Sequence, residues 1–576
     1  MKLLSNHIGY ERVGPKQAVL QTTTHLNVPY IELVSVISGE VLQHLPILLS
    51  GRVDQWSLGI FYSIDFSEFT TAGRYFLRVE HVENDVQYKA QSHPFEIADG
   101  LLMRDCFSDL LNYFKGQRCS GIFDQQDKQS SLFNSDKKVD VQGGWYDASG
   151  DVSKYFSHLS YANYMNPQQI PMIVWNMLKG LDLLTTCSDF PQYSALRLKE
   201  EALFGADFLM RMCSEEGYFY MTVFDQWSKD PTQREICAYE KQSGDKTSDY
   251  QAAFRQGAGI AIAALASASR QPIGGEFSAT QYLATAEKAY WHLVECNISY
   301  CDDAVENIID EYCALIAAVE LYKTTSEDNY LQQARNWAGK LTLRQQSDDS
   351  QQNFWSANSD GSRPYFHGAE AGLPVIALLQ YLDIETESQY QQKTQQVITN
   401  ALQFELAISA EVFNPFAYPR QYVKGVNEAK RSAFFISQDN ESGYWWQGEN
   451  ARLGSLATMA LLAKKYLNDP KLITSLEGYA QSSLNWIVGL NPYDMCMLEG
   501  AGYNNPDYLP ELGFFNAKGG ICNGITAGFD NESDIAFKPV DQADDMQQNW
   551  RWGEQWIPHG GWFLLAIMTQ YSTEQN

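Results

Sequence analysis

The N-terminal part of the chain alternates between apolar and polar residues with a period of two, which is typical of β-strands with one buried face. The alternation is clearest in the stretch YFLRVE (75–80), and turn signals such as Ser38-Gly39 and Ala72-Gly73 separate the runs. The pattern predicts strands over residues 17–22, 30–36, 59–65, 74–79 and 94–98. We therefore expect a small β-sandwich over residues 1–98.

Near Asp99-Gly100 the period changes from two to that of an α-helix, which predicts a helical domain over residues 99–576. Asp99 is the expected N-cap of its first helix. About twelve segments carry the helical pattern. They lie near residues 101–116, 168–186, 194–213, 249–268, 279–297, 308–323, 327–345, 368–382, 388–409, 449–467, 470–489 and 559–571.

Two kinds of helix alternate along this domain. Segments such as GAGIAIAALASA (257–268) consist of Ala, Gly and other apolar residues, whereas segments such as YLQQARNWAGKLTLR (330–344) carry many charges. Inner helices that are buried on all sides and outer helices with one solvated face have these compositions. The pattern predicts a mainly α protein, an (α/α)6 barrel preceded by the sandwich. A helical solenoid is the alternative, but we find no fixed sequence period.

Three segments rich in Gly, Asn, Asp and aromatic residues interrupt the helical pattern. They are residues 118–166, 410–448 and 491–558. Long structured loops in a compact domain are usually functional. In a barrel of helical hairpins, the loops at one end can converge on a single cleft.

Composition and charge narrow the possible functions. The formal net charge is −28, which disfavours nucleic acid and anionic membranes as partners because phosphate would be repelled. Aromatic residues make up 13% of the chain, with 14 Trp and 33 Tyr. They serve either a large core or a cleft for carbohydrate, since sugar rings present apolar faces to aromatic side chains.

The chain begins MKLLSNHIGYERVG, and this apolar run is too short for the core of a signal peptide. No stretch approaches the ~18 apolar residues of a membrane span. The ten cysteines are scattered and form no CxxC pair. Reduced thiols fit this pattern better than a disulfide framework. We therefore expect a cytoplasmic protein.

The loop GGWYDASGDVSKY (143–155) places two carboxylates, Asp147 and Asp151, among glycine and aromatic residues. Trp145, Tyr146 and Tyr155 offer flat faces on which sugar rings stack. Two acids this close cannot share one environment, so their pKa values should separate. The alternative is a surface turn with solvated acids.

Inverting hydrolysis of a glycosidic bond needs a base that deprotonates water and an acid that protonates the leaving oxygen, about 6.5–9.5 Å apart. Glu554, in the stretch NWRWGEQWIPHGGW (549–562), is the best candidate for the acid, because apolar surroundings raise a carboxyl pKa. The alternative is a glutamate that only stabilises a helix N-terminus.

The sequence resembles glycoside hydrolase family 9 over most of its length. The stretch NHIGYERVGPKQAVL (6–20) is similar to the opening of the immunoglobulin-like domain in one branch, and residues 143–155 are similar to the family's GGWYDAGD loop. FRQGAGIAIAALA (254–266), IVGLNP (487–492) and GEQWIPHGGW (553–562) resemble a glycine-rich inner helix, the segment before a late active-site loop and the C-terminal NE motif. The resemblance implies an inverting glycosidase on an (α/α)6 barrel, without a cofactor. It implies that Asp151 is the base, Asp147 its helper and Glu554 the general acid.

Three departures from the family pattern matter. Ser149 is an additional residue between the two aspartates, which makes the role of Asp147 less secure. The late stretch NNPDYLPELGFFNAKGG (504–520) lacks the His-His-Arg run of endo-acting members. Cys119 matches the first cysteine of a Cys and Cys-His zinc cluster, but no Cys-His follows in residues 120–142. One ligand cannot close a zinc shell, so we expect no metal there.

The missing endo-type contacts, the long late loop and the lack of a secretion signal together favour an exo-acting, intracellular enzyme for imported short oligosaccharides. Within the family the sequence is most similar to bacterial exo-β-D-glucosaminidases. A cellodextrinase or β-glucosidase is the second interpretation. The sequence leaves open which sugar binds, the oligomeric state and whether the Asp-rich loops hold a structural cation. A glucosamine amine would need carboxylates beside it, and the candidates near inner-helix starts are Asp310, Glu311, Glu370 and Glu449.

Further substrate contacts are expected where aromatic residues meet inner-helix starts. The preferred candidates are Trp446, Glu449 and Asn450, with Tyr146 from the first loop. Tyr365, His367 and Glu370 come second, although a lone His is more often structural. Trp552 and Arg551 lie beside Glu554 and are expected to shape the pocket.

Two other classes of function compete with hydrolysis. A non-catalytic sugar-binding protein would bind without turnover, and the three carboxylates argue against it. A lyase or epimerase on the same barrel would usually need a Tyr or His base and a partner for a uronate. The strongly negative charge does not suit an anionic polymer.

Overall fold

The alternating N-terminal segment forms two packed sheets. The structure, a computed structural model, describes residues 1–443, 447–542 and 545–575. The sandwich strands are β1 (Lys2–Leu4), β2 (Gly9–Glu11), β3 (Gln17–Thr22), β4 (Tyr30–Ser35), β5 (Val41–Pro46), β6 (Leu49–Gly51), β7 (Ile60–Asp65), β8 (Gly73–Glu83), β9 (Val86–Gln91) and β10 (Phe95–Ala98). One sheet has the order β1-β3-β7-β6, and the other has the order β2-β10-β8-β4-β5 with β9 beside β8.

The sandwich core is built by the alternation seen in the sequence. In β8, Tyr75, Leu77 and Val79 are buried, while Phe76 and Arg78 between them are half-buried. All five predicted strands are present. The strands β1, β2, β5, β6 and β9 were not predicted. β1 and β2 have only three residues each, and few residues of β5, β6 and β9 are buried.

The helices of the second domain are listed here in chain order. They are α1 (Leu101–Gln117), α2 (Gly121–Asp127), α3 (Ile170–Leu184), α4 (Gln192–Arg211), α5 (Ala258–Ser269), α6 (Ala279–Tyr300), α7 (Ile308–Thr325), α8 (Asp328–Thr342), α9 (Leu373–Leu382), α10 (Ser388–Ser409), α11 (Asn450–Ala463), α12 (Pro470–Ile487), α13 (Met546–Gly553) and α14 (Ile557–Gln575). Helices α3, α5, α7, α9, α11 and α14 form a closed inner ring, and α1, α4, α6, α8, α10 and α12 pack outside it. The architecture is the expected (α/α)6 barrel.

Small residues let the inner helices approach one another. Every residue of α5 from Ala258 to Ala268 is buried. A Cβ atom on Gly259 would lie 2.8 Å from Cβ of Cys313 in α7, and one on Gly454 of α11 would lie 2.9 Å from Cβ of Trp562 in α14. Outer helices such as α8 bury only one stripe. The alternation of compositions in the sequence therefore corresponds to the inner and outer layers.

Several predicted boundaries differ from the structure. The helix predicted over residues 249–268 begins only at Ala258, because Gly257 has a left-handed φ of 97°. The N-cap of α1 is Gly100 and not Asp99. The Glu11 carboxylate of the sandwich instead accepts hydrogen bonds from the amides of Gly100 and Leu101, at 2.7 and 2.8 Å. Helices α2 and α13 lie inside segments that were predicted to be loops.

Short strands brace the loops of the barrel domain. They are β11 (Ser130–Leu132), β12 (Lys138–Val139), β13 (Lys154–Tyr155), β14 (Thr222–Phe224), β15 (Glu235–Glu240), β16 (Asp245–Thr247), β17 (Gln345–Gln346), β18 (Phe354–Trp355), β19 (Gln421–Val423), β20 (Arg431–Ala433), β21 (Thr526–Ala527) and β22 (Ile535–Ala536). The first six form one sheet, in which β13 pairs with β14. This sheet fixes the chain directly after Asp151.

The sequence analysis also expected reduced thiols and no membrane-spanning segment. All ten cysteines are free, and most of them are buried. None of the described helices combines the length and the apolar character needed to cross a membrane.

Candidate active site

The loop from Gly143 to Tyr155 enters the site through two glycines. Gly143 and Gly144 have φ angles of 82° and 73°, which side-chain-bearing residues rarely adopt. The next residue, Trp145, is fully buried and its indole donates a hydrogen bond to Glu201 at 2.9 Å. The buried Trp145 side chain therefore anchors the loop two residues before Asp147.

A tight turn places Asp147 and Asp151 side by side. The amide of Asp151 donates to the carbonyl of Ala148 at 3.4 Å, and the amide of Ala148 donates to the carbonyl of Asp151 at 3.2 Å. A carboxylate oxygen of each aspartate and a ring nitrogen of His158 lie within 4.8 Å of one another. The additional residue Ser149 is thus absorbed by the turn, and the two carboxylates still converge.

The Asp151 carboxylate accepts three hydrogen bonds. Its donors are the Ser153 amide at 2.8 Å, the Tyr155 hydroxyl at 2.7 Å and the Trp227 indole at 3.1 Å. Burial raises the pKa of Asp151, while the Ser153 and Tyr155 donors oppose that rise by stabilising the ionised form. These three donors stabilise a negative charge on Asp151, which is therefore the aspartate better suited to be ionised.

Asp147 lies deeper. Its Oδ1 accepts hydrogen bonds from the Gln169 side-chain NH₂ group and, at 3.1 Å, from the Trp556 indole. Its Oδ2 lies 3.5 Å from His158 Nδ1. Burial and the charges of the other two carboxylates raise the pKa of Asp147 well above its usual value. Burial lowers the pKa of His158 to about 4, so this imidazole is neutral near pH 7. A neutral ring offers no countercharge to Asp147.

Glu554 follows α13 and faces the turn. A Cβ atom on Gly150 would lie 2.3 Å from Glu554 Oε1, so only glycine lets the turn approach this carboxyl group. Burial and the nearby charge of Asp151 raise the pKa of Glu554 to about 8. At neutral pH the group therefore holds its proton, as a general acid must.

The two halves of the site are joined by backbone. The Ser149 amide donates to the Gln555 carbonyl at 2.9 Å, and the Gln555 amide donates to Ser149 Oγ at 3.0 Å. Ala148 and Trp556 form an isolated antiparallel bridge beside them. The segment carrying Glu554 is thus paired with the turn carrying both aspartates.

This arrangement suits acid–base chemistry on a neutral bond. Three buried carboxyl groups in one site cannot all be ionised. An ionised Asp151 can serve as a base, and a protonated Glu554 can serve as an acid. Asp147, whose pKa is raised, offers two further oxygens to a water molecule. Asp147, Asp151 and His158 also have the spacing of a divalent-cation site, and a cation there would compete with that water.

The other predicted contacts are held by protein groups. Glu449 is buried, and its carboxylate accepts from the Ile436 amide and the Gln421 side chain, both at 2.9 Å, beside Arg452 at 3.2 Å. Asn450 donates to the Cys522 carbonyl at 2.9 Å. Both lie at the start of an inner helix, and a direct contact with sugar stays a prediction. Trp446 lies outside the described residues.

Glu370 and His367 are fully buried. Glu370 accepts a hydrogen bond from the Gln168 amide at 2.8 Å and contacts the Tyr312 hydroxyl at 2.5 Å. His367 Nδ1 accepts from the Glu370 amide at 3.2 Å. Tyr365 donates to the Glu370 carbonyl at 3.2 Å. Because Gln168 precedes Gln169, this cluster supports the residue that holds Asp147.

The remaining predicted residues have varied surroundings. Tyr146 is half-buried and donates its hydroxyl to the Ser120 carbonyl at 3.2 Å. Trp552 is fully buried and its indole donates to Thr526 at 2.8 Å. Arg551 donates to Gln548 at 2.8 Å. The acids Asp310 and Glu311 form ion pairs with arginines, at 2.8 and 2.7 Å.

Five residues join the site that the sequence did not single out. They are His158, Gln169, Trp227, Lys229 and Tyr508, and they come from three separate loops. The Tyr508 hydroxyl would lie 3.2 Å from a Cβ atom on Gly150, which places it beside Glu554. The sequence offered a signal only for Trp227, an aromatic residue two positions after an acidic one (FDQW, 224–227).

Cys119 lies beside a buried ion cluster. Its Sγ is 3.5 Å from Asp127, and Asp127 pairs with Lys154 at 2.7 Å and Arg234 at 2.8 Å. Burial alone would raise the pKa of Asp127, but the two cations hold it below its usual value. Lys154 also donates to the Gly143 carbonyl at 2.8 Å, so the cluster anchors both ends of the loop that carries Asp147 and Asp151.

Comparison with known proteins adds the family context. Residues 104–511 match glycosyl hydrolase family 9, and residues 2–84 match the cellulase N-terminal ig-like domain. The matched segment ends before Glu554. Among curated proteins, no sequence matches the chain at a significant level.

Solved structures of low sequence identity share the fold. A metagenome-derived glycoside hydrolase family 9 endoglucanase is 17% identical over 99% of both chains, with a TM-score of 0.68. A family 9 protein from Bacteroides ovatus is 17% identical over 100% of both chains, with a TM-score of 0.66. A C. cellulolyticium cellulase in complex with cellobiose is 16% identical over 81% of this chain and 97% of its own, with a TM-score of 0.52.

Proposed function

Because the chain belongs to glycosyl hydrolase family 9 and is thus an O-glycosyl hydrolase, we propose that it cleaves β-glycosidic bonds with inversion, using Asp151 as base and Glu554 as acid. The observation that carries this assignment is the division of labour between the two groups. Asp151 receives three hydrogen bonds that favour its ionised form. Glu554 has a pKa raised to about 8 by burial and by Asp151.

The proposed reaction is a single displacement. Asp151 takes a proton from water while the water oxygen bonds to the anomeric carbon. The bond between that carbon and the leaving oxygen breaks, and Glu554 gives its proton to the leaving oxygen. Asp147 accepts the second hydrogen of the water and so fixes its direction of attack. The electron pair of the broken bond leaves with the oxygen that Glu554 protonates, and no cofactor takes part.

The late loop supports action at a chain end. Tyr508 approaches Gly150 and Glu554, and its carbonyl accepts a hydrogen bond from Lys538 at 2.8 Å. Further along, Phe514 lies under the ammonium of Lys229 at 4.1 Å from the ring centroid. These contacts hold the loop against the turn, and we infer that it leaves room for the end of a sugar chain and not for a long glucan. We therefore propose an exo-acting enzyme for short β-1,4 oligosaccharides.

For the sugar, we propose glucosamine released from chitosan- or chitin-derived oligosaccharides. This choice is supported by the resemblance to exo-β-D-glucosaminidases and by the three carboxyl groups of the site, among which an ionised Asp151 suits a cationic amine. A cellodextrinase is the second candidate, supported by the cellobiose bound to the C. cellulolyticium cellulase and by the endoglucanase relative. The free, mostly buried thiols favour a reducing compartment, and we propose a cytoplasmic location.

The test is a hydrolysis panel with product stereochemistry. Chitosan disaccharide, mixed GlcN–GlcNAc, chitobiose and cellobiose are compared with the corresponding polymers, and the first-formed anomer is followed by proton NMR. We expect the α-anomer, release from the non-reducing end and the highest kcat/KM on chitosan disaccharide. Preference for cellobiose would reject the glucosamine assignment alone. A first-formed β-anomer would reject inversion, and binding without turnover would favour a sugar-binding protein.

A further inference from the structure

The junction between sandwich and barrel brings together two histidines and one aspartate from three segments. His7 lies between β1 and β2, His93 lies between β9 and β10, and Asp494 lies in the loop after α12. A ring nitrogen of each histidine and a carboxylate oxygen of Asp494 lie within 4.8 Å of one another. These residues are far apart in the sequence and therefore form no sequence motif. They take no part in the proposed hydrolysis.

The spacing matches ligand atoms around one small cation. His7 Nε2 lies 3.0 Å from Asp494 Oδ1, and His93 Nε2 lies 3.5 Å from Asp494 Oδ2. Ligands about 2.0–2.1 Å from a tetrahedral zinc ion are ~3.3 Å apart. The two observed separations lie on either side of that value, so an ion could enter with small side-chain movements.

His7 is fixed in position by its surroundings. A Cβ atom on Gly489 would lie 2.4 Å from its ring, and one on Gly502 would lie 2.7 Å from its Cβ, so the two glycines make room for the imidazole. His7 Nδ1 lies 3.2 Å from the Tyr503 carbonyl oxygen and 3.3 Å from the Tyr503 amide nitrogen, so either tautomer of the ring finds a partner on Tyr503. In the tautomer that donates from Nδ1 to the carbonyl, as metal-bound histidines usually do, Nε2 is free for the ion.

His93 is oriented in the same way from the solvent side. Its ring stacks on Tyr503 with centroids 4.2 Å apart. The Asn504 side-chain NH₂, which donates to the Asp494 carbonyl at 2.7 Å, faces His93 Nε2 at 3.3 Å. A donor in this position favours the tautomer with a lone pair on Nε2, which is the form that binds metal.

We propose that His7, His93 and Asp494 bind one divalent first-row transition cation of the zinc class, which clips the sandwich to the barrel. Two imidazoles and a carboxylate suit Zn²⁺, with solvent completing four-coordination. The His93 and Asp494 side chains keep 30% and 19% of their surfaces exposed, which gives the ion a way in. Because the ligands come from both domains, binding stabilises their docking.

The experiment uses the full chain after treatment with a chelator and desalting. Zn²⁺ binding is measured by calorimetry, Co²⁺ is added as a spectroscopic probe, and thermal unfolding is followed with and without Zn²⁺. We expect one equivalent to bind, visible d–d bands without the charge-transfer band of a thiolate, and a higher Tm. In His93→Ala and Asp494→Asn this affinity should fall by at least ~100-fold and the Tm shift should disappear.

Two variants separate this site from others that could take up the ion. His44→Ala removes a histidine of the same domain that lies 3.8 Å from Glu32, and His158→Ala removes the histidine of the catalytic cluster. Both should keep the equivalent that His93→Ala loses. No Zn²⁺ binding up to about 1 mM would overturn the proposal and leave a hydrogen-bonded His–Asp–His cluster. Unchanged binding in His93→Ala and Asp494→Asn would overturn it equally.

Discussion

Ser149 and Gln555 exchange two hydrogen bonds across the active site. The Ser149 amide donates to the Gln555 carbonyl at 2.9 Å, and Ser149 Oγ accepts from the Gln555 amide at 3.0 Å. Gln555 directly follows Glu554, the proposed acid, and Ser149 lies between the two aspartates. The residue that departs from the family spacing therefore links the segments that carry the proposed base and the proposed acid.

Replacing Ser149 by alanine should lower kcat while leaving KM almost unchanged. The variant loses the acceptor for the Gln555 amide but keeps the backbone bond, so the segment carrying Glu554 loses one of the two hydrogen bonds that it shares with Ser149. We expect a fall of about 5–10-fold in kcat, which corresponds to ~1–1.5 kcal/mol. Steady-state kinetics on the best substrate of the panel measures it.

Ser149→Thr is the matched control, because threonine keeps a hydroxyl oxygen at the same position. Its kcat should remain within about twofold of the wild type. Equal losses in the alanine and threonine variants would show that the shape of the turn matters and not the hydroxyl. An unchanged kcat in Ser149→Ala would show that the remaining contacts of this segment are enough to position Glu554.

The basic limb of the pH profile should belong to Glu554. Its pKa is raised to about 8, so the acid form is lost as pH rises through that value and kcat/KM should fall above it. Glu554→Gln should lose roughly 10²–10⁴-fold in kcat on a disaccharide and should lose the basic limb. The loss should be smaller on an aryl glycoside whose leaving group needs no proton. A basic limb that persists unchanged in the variant would assign it to another group.

The acid limb should respond to the donors around Asp151. Tyr155→Phe and Trp227→Phe each remove one hydrogen bond from its ionised form. The Asp151 pKa should therefore rise, and the acid limb of kcat/KM should move to higher pH in both variants. Tyr282→Phe is the control, since it removes a similar bond to Asp207 outside the site. A profile that moves in the control, or in neither test variant, would contradict Asp151 as the base.

The fold was largely predictable because its signals are local. Alternation located five of the ten sandwich strands, and composition distinguished inner from outer helices. What was missed depends on contacts distant in sequence. Glu11 caps α1 from the other domain, and β5 and β9 are exposed strands held by their neighbours. Gly257 ends a helical pattern through its φ angle, which composition does not reveal.

The site was predictable only where function concentrates unusual residues in one stretch. Asp147, Asp151 and Glu554 lie in segments of glycine and aromatic residues, and the structure brings all three together. Gln169, His158 and Tyr508 carry no such signal, since each is an ordinary residue whose role depends on where its loop lies. Glu370 and His367 were predicted substrate contacts because they precede an inner helix; both are fully buried, and their contact with sugar stays a prediction.

Glu370 should make stability depend on pH. Burial raises its pKa from the usual 4.5 to about 8, so the folded protein holds this proton over a range in which the unfolded chain has released it. The stability that Glu370 contributes is complete below pH 4.5 and is lost as pH rises to about 8. Glu370→Gln has no such dependence, because a glutamine side chain does not titrate. Its side-chain amide can still donate to Tyr312 and accept from the Gln168 backbone amide.

The Tm of Glu370→Gln relative to the wild type should therefore increase between pH 5 and pH 9, by roughly 2 °C or more. Glu385→Gln is the control of opposite sign. Although burial would raise it, the pKa of Glu385 is lowered to about 2 by Arg335, and neutralising it should reduce Tm across the same range. Calorimetry at several pH values measures both variants. A constant difference between Glu370→Gln and the wild type would show that Glu370 is ionised in the folded protein, and a raised KM at unchanged Tm would favour its predicted contact with sugar.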